Sequence, residues 1–139
     1  MKYKTYIDWL LRIAVAALFV SHGIMAVQGE ADWVGWIVSL FGLAEPAATT
    51  LLHLIGFLDL VVSVLVLLWP IHIVLLWATF WGVLVTLLQP LMGEPLGEFL
   101  EHWAVWSAPL ALFLIHGIPK HWWQWLEVNN KSKRRLGRA

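Results

Sequence analysis

Residues 49–69 read TTLLHLIGFLDLVVSVLVLLW, from Thr49 to Trp69, and Pro70 follows at once. At 1.5 Å rise per residue, a helix of about 20 residues crosses a hydrocarbon core roughly 30 Å thick. This stretch is that long, and Asp59 is the one acidic or basic residue in it. A helix apolar on every side is buried in a protein core or in lipid. The chain has 139 residues, of which 60% are hydrophobic and 13% charged. A domain this small leaves much of its surface exposed, so it cannot bury several such helices within itself. Lipid is the better solvent, and 49–69 predicts a transmembrane helix.

Three more segments fit the same description. They run over about 7–28, 71–88 and 103–119. Pro70 separates the second span from the third, because Pro lacks an N–H and biases the residue before it away from helix. So tight a break predicts that these two spans are antiparallel neighbours. Pro109 lies inside the fourth span and predicts a kink. Residues 33–44 are apolar but too short to cross. Trp33, Ile37, Leu40 and Ala44 recur at helical spacing, which predicts a short interfacial helix lying as a lid on the bundle. The first span follows Lys2 and Lys4, as a signal peptide would. Arg12 interrupts it and no small-x-small cleavage site follows before Glu30, so it reads as a retained helix. The expected architecture is all-α: one integral membrane domain over 1–139, a four-helix transmembrane bundle with a short interfacial helix between spans one and two.

Charge sets the direction. All nine basic residues flank the outer limits of this set: Lys2, Lys4 and Arg12 at the start, and Lys120, Lys131, Lys133, Arg134, Arg135 and Arg138 after the fourth span. The intervening segments carry Glu30, Asp32 and Glu45, then Glu94, Glu98 and Glu101, with no base. The positive-inside rule puts both ends of the chain in the cytoplasm, which requires an even number of spans. The basic tail over 120–139 suits anionic lipid head groups rather than nucleic acid. The eleven tryptophans suit the membrane–water boundary.

Helices in lipid associate through small residues and a few polar contacts. Four stripes at helical spacing are predicted to face inward: Ala14, Ala17 and Ser21; Gly56, Asp59 and Ser63; Thr79, Gly82 and Thr86; Ala104, Ala108 and Ala111. Asp59 lies near the midplane, where a bare carboxylate costs roughly 3 kcal/mol or more. It must be protonated, paired or wet, and is either a functional residue or a packing bond. Arg12 is the natural charged partner for it, although Asp8 four residues earlier competes for Arg12. His22 and His53 fall at matching depth on antiparallel spans and form a weak candidate pair for haem or a metal; the spacing does not make a metal site convincing. Trp77 and Trp81 lie deeper than the other tryptophans and are candidate walls for a flat apolar ligand such as a quinone. No nucleophile triad, phosphate loop or dinucleotide fingerprint is present, so an enzyme acting on its own is not expected.

Leu11-Arg12-Ile13-Ala14, Leu18-Phe19, Ser21-His22-Gly23 and Gly56-Phe57-Leu58-Asp59-Leu60 resemble the first two spans of the DoxX-like family of small four-helix bacterial membrane proteins. Trp77-Ala78-Thr79-Phe80-Trp81-Gly82 and Gln89-Pro90-Leu91-Met92-Gly93-Glu94-Pro95 look like a largely uncharacterised subgroup of it. The resemblance implies a non-catalytic or accessory subunit in a bacterial inner membrane, associated with a quinone-linked redox partner protein or with copies of itself. Two other functions fit the residues: a small proton-linked transporter centred on Asp59, and a haem-binding membrane protein using His22 and His53.

Overall fold

A computed structural model describes residues 2–128. The described residues are all-helical: α1 (Lys2–Val27), α2 (Ala31–Phe41), α3 (Glu45–Leu68), α4 (His72–Leu91), α5 (Leu96–Glu101) and α6 (Trp103–His116), then a 3-10 turn at Trp122–Trp125. Three helices, α1, α3 and α4, are long and apolar enough to cross a membrane. α6 has 14 residues. Only His102 separates it from α5, and His102 itself keeps right-handed helical dihedrals (φ −76°, ψ −2°). The basic residues Lys131 to Arg138 lie outside the described residues.

Local chemistry explains the boundaries. α3 begins at Glu45, four residues before the apolar run, because Pro46 sits in the first turn, where its missing N–H costs nothing. Gly42 ends α2 in the left-handed region (φ 64°) and its N–H caps the Val38 carbonyl. α3 stops at Leu68, and Trp69-Pro70 carries the chain into α4. Pro90 falls in the last turn of α4, so that helix runs on to Leu91.

Pairs of touching residues give the directions. Ser63 on α3 meets Ala16 on α1, and Gly56 meets Gly23, so these helices are antiparallel. His116 on α6 and His102 just before it meet Asp8 and His22 on α1, again antiparallel. His72 and Thr86 on α4 meet Gly117 and His102 beside α6. The order around the bundle is α3, α1, α6, α4. α1 with α3 and α4 with α6 make the main interfaces. α3 and α4 share a much thinner one, although the Trp69-Pro70 break joins them. The expected hairpin is thus a covalent neighbour more than a packing partner.

Two glycines let the helices of the first interface touch backbone to backbone. A Cβ built on Gly56 would lie 2.8 Å from Ala26 Cβ, from the Gly23 oxygen and from the Val27 nitrogen. Gly82 does the same for the second interface, with the Val105 oxygen 2.7 Å from its would-be Cβ. The centre is filled by Val15, Phe19, Val62, Val66, Leu75, Ala78, Leu112 and Phe113. Val34 and Ile37 of α2 pack on Ala26, Ala48 and Leu52, which seats α2 on the ends of α1 and α3.

The inward stripes match expectation on α3 and α4: Gly56, Asp59, Ser63, Thr79, Gly82 and Thr86 are all buried. On α1 the expected stripe is on the wrong side. Ala14, Ala17 and Ser21 are exposed, and Val15, Ala16, Phe19, Gly23 and Ala26 are buried. On α6 Ala104 is exposed, and Val105, Pro109, Leu112, Phe113 and His116 face inward. In α2, Leu40 is exposed and Ala44 lies beyond the helix, so Val34 and Ile37 form its contact face.

Candidate functional site

The antiparallel order brings polar side chains together at each end of the apolar core. At the end formed by the start of α1, the start of α4 and the last turn of α6, Asp8 is the hub. Its Oδ2 pairs with Arg12 at 2.8 Å, and its Oδ1 accepts from His116 Nε2 at 2.6 Å. Asp8 and Arg12 are an i, i+4 pair on one helix face, which aims both toward α6. The Arg12 guanidinium also lies 5.0 Å from the ring centre of Trp9. His72 opens α4 and is 4% exposed. Its Nε2–H donates to the Gly117 carbonyl at 2.9 Å, and its ring stands 6.1 Å from that of His116. A carbonyl only accepts, so in this bond Nε2 carries a proton. His72 Nδ1 is buried and has no hydrogen-bond partner among the described residues.

The segment after α6 closes this end. Gly117 turns the chain with φ 88°. Trp125 packs on Phe113, ring centres 6.1 Å apart, and Val128 makes an antiparallel bridge with Ile71. His121 stacks on Trp123, and Gln124 Oε1 accepts from the Lys120 N–H.

Near the middle, Asp59 is 3% exposed on α3. The side chain of Trp81, on α4, is its hydrogen-bond partner. Trp81 in turn stacks on Trp77 at 5.9 Å, and Trp77 lies at the outer surface. Ser63, one turn along, donates to the Ala16 carbonyl at 3.0 Å. These polar groups link helix to helix, as intramembrane polar residues do.

At the opposite end His22 contacts the rings of Trp33 and His102, at 5.6 and 6.3 Å. Thr86 donates to the His102 carbonyl at 3.1 Å, and His102 Nδ1–H donates to the Glu98 carbonyl at 2.7 Å. An open apolar groove of about 250 Å3 lies beside this cluster, lined by Val83, Thr86, Leu87, Phe99, Trp103 and Trp106.

No family model, no curated protein and no solved structure matches this chain. The geometry therefore carries the functional reading.

The residues singled out by sequence fall into different neighbourhoods. Arg12 is bound to Asp8. Asp59 meets Trp81, in a separate neighbourhood from that pair. His22 turns to Trp33 and His102. His53 is exposed, with its Nε2 3.5 Å from where a Cβ on Gly29 would sit. Among the described residues no ring contact joins the two histidines, and no group of three or more His, Cys, Asp or Glu side chains could hold a metal ion. Trp77 and Trp81 stack on each other, and the aromatic walls of the groove are Phe99, Trp103 and Trp106. Sequence reasoning missed the Asp8–His116–His72 grouping. The available signal was depth: Asp8 in the first turns of one span and His116 at the end of an antiparallel one.

Proposed function

We propose that the chain is a four-helix integral membrane protein of DoxX-like type, and that it works as a non-catalytic subunit for a quinone-linked redox partner in a bacterial inner membrane. The observation that carries the subunit reading is the filled centre. Val15, Phe19, Val62, Val66, Leu75, Ala78, Leu112 and Phe113 occupy the space between the two polar ends. A carrier centred on Asp59 needs a wet route to that carboxyl from each side in turn; here Asp59 is enclosed and bonded to a neighbouring helix.

Several features support the membrane reading. Leu54, Phe57, Leu58, Val61, Val64 and Leu68 lie exposed along α3, an apolar surface that water does not favour and lipid does. α6 runs antiparallel to α1 and α4 between the His116 and His102 levels, about 21 Å at 1.5 Å per residue. With α5 almost in line it serves as the fourth span. Lys4, Arg12 and Lys120 belong to one end of the bundle, and Glu30, Asp32, Glu45, Glu94, Glu98 and Glu101 to the other. That distribution supports a cytoplasmic Asp8–His116 end.

The test is affinity purification of the tagged chain from gently solubilised native membranes. The expected result is co-purification of a redox partner or bound quinone. Monodisperse protein that carries neither would overturn the subunit reading.

A further inference from the structure

The apolar groove beside His102 has no part in the subunit reading. We propose that it is a binding site for one zwitterionic phospholipid, with an acyl chain in the groove and the ammonium of the head group at the acidic end of the bundle. The proposal rests on the membrane reading of the helices and goes beyond the subunit reading, on which it does not depend.

The groove has the proportions of a chain. Val83, Thr86 and Leu87 of α4 form one side, and Phe99 of α5 with Trp103 and Trp106 of α6 forms the other. Phe99, Trp103 and Trp106 follow i, i+4, i+7, one stripe across two nearly collinear helices. Their rings pack on one another: Phe99 stands edge-on to Trp103 at 6.2 Å, and Trp103 lies 5.5 Å from Trp106. The stripe is about 10 Å long at 1.5 Å per residue. A volume of about 250 Å3 over that length gives a mean cross-section of about 25 Å2. That is roughly a third of the section of a helix about 10 Å across, so an extended hydrocarbon chain fits where a helix does not. The volume is also below the roughly 300–1,000 Å3 of pockets that enclose a drug-sized molecule. The lining carries no charged side chain, and its hydroxyl, on Thr86, is spent on the His102 carbonyl at 3.1 Å. Leu84 and Leu100, next to the lining residues in the chain, are exposed as well, so a bilayer chain enters from the side without crossing water.

Chain direction sets which end of the lipid lies where. α6 runs inward from His102, so Phe99 marks the boundary end of the groove and Trp106 its deeper end. Tryptophan at such a boundary suits the level of lipid head groups. Glu94, Glu98 and Glu101 flank this mouth in sequence. Glu98 and Glu101 are exposed, Glu94 is half-buried, and among the described residues none of them is in an ion pair. Glu30, Asp32 and Glu45 belong to the same end, which has no Lys or Arg. An anionic head group meets only like charge there. A zwitterionic one carries its ammonium beyond its phosphate, where the carboxylates attract it and the half-exposed Trp103 offers a ring face to the cation.

The experiment is photolabelling of the purified full chain in dodecyl maltoside micelles. The probe is phosphatidylethanolamine with a diazirine on one acyl chain, and peptide mass spectrometry maps the label. Label is expected on residues 83–87 and 99–106, above the level on the exposed face of α3. Unlabelled phosphatidylethanolamine should displace it at about fivefold lower concentration than phosphatidylglycerol, the upper factor for one exposed charge pair. Val83→Trp fills the groove and should cut its label roughly tenfold, the factor for about 1.4 kcal/mol of overpacking, with α3 labelling unchanged. Circular dichroism checks folding, and Leu87→Trp takes the place of Val83→Trp if that variant is not folded. Glu94→Gln, Glu98→Gln and Glu101→Gln together should keep the label and bring the two competitors to within about twofold. The proposal is overturned if label spreads evenly over the lipid-exposed faces, as a bulk lipid shell would give, or if phosphatidylglycerol competes equally with the wild-type chain. It is also overturned if the groove-filling variant keeps its label, or if the preference survives the three Glu→Gln changes. A stable dimer with an unlabelled groove would overturn it in favour of a second copy.

Discussion

Gly56→Ala adds one methyl group at the tightest point of the α1–α3 interface. The new Cβ would sit 2.8 Å from Ala26 Cβ, the Gly23 oxygen and the Val27 nitrogen. Ordinary carbon contacts lie at about 3.5–4.0 Å, so the helices must part by close to 1 Å. None of the three atoms is the end of a flexible side chain, so no rotamer change relieves the clash. A gap of 0.5–1 Å forfeits roughly a quarter to a half of each dispersion contact along the seam. In lipid those contacts are a main source of helix association, because apolar burial drives little there. Overpacking of this kind costs about 1–3 kcal/mol. The helix-forming advantage of Ala offsets little of it, since separated helices in a micelle or bilayer stay helical. The assay is SDS titration of the protein in mixed micelles, followed by tryptophan fluorescence. Gly56→Ala is expected to lower the unfolding free energy by about 2 kcal/mol. Gly35→Ala is the control: it adds the same methyl to α2, where nothing lies within 4 Å. It is expected to change stability by less than about 0.5 kcal/mol. Equal effects from the two substitutions, or no effect from either, would refute the close-approach argument.

The same assay checks three further outcomes. Gly82→Ala meets backbone atoms of α6 at 2.7–2.9 Å and should cost as much as Gly56→Ala, while Gly23→Ala should cost less, because two of its three nearest atoms belong to the Leu60 side chain, which can rotate. Ser63→Ala removes the bond to the Ala16 carbonyl and should cost about 0.6 kcal/mol and less than 2, the range for such interhelical bonds; a larger loss would mean that Ser63 does more than bond. Asp59→Asn keeps an acceptor for Trp81 and should be close to neutral, whereas Asp59→Leu strands a buried donor and should cost about 1–3 kcal/mol; a severe loss with Asn would show that the charge itself matters. Topology has a direct test, because the chain has no cysteine. An impermeant thiol reagent should label Gly97→Cys in intact cells and reach Lys120→Cys only after lysis; the reverse pattern would invert the bundle.

The helices were legible in the sequence because hydropathy and proline act locally. The faces were legible only where a residue excludes the alternative. Gly56 and Gly82 mark points where backbone meets backbone, and Asp59, Ser63, Thr79 and Thr86 have polar atoms that lipid cannot satisfy, so all six point inward. Ala14 and Ala17 permit close approach without requiring it, and an exposed alanine costs nothing in lipid. Their stripe lost to the face carrying Gly23, Ala26 and Phe19, where Gly56 of α3 comes within backbone contact of α1. Partner choice was less legible still. Depth alone makes His53 as good a match for His22 as His102 is, and rotation about the helix axis decides between them. That rotation is set by the packing of all four helices at once. The bond between Asp8 and His116 spans 108 residues of chain for the same reason. It follows that a substitution which turns α1 about its axis, as Gly23→Leu would at the Gly56 crossing, should also disturb the Asp8–His116 bond at the far end of that helix. Loss of the stability coupling between Asp8→Asn and His116→Gln in that variant, with the protein still folded, would show the two ends to be coupled through the rotation of α1; an unchanged coupling would show that they pack independently.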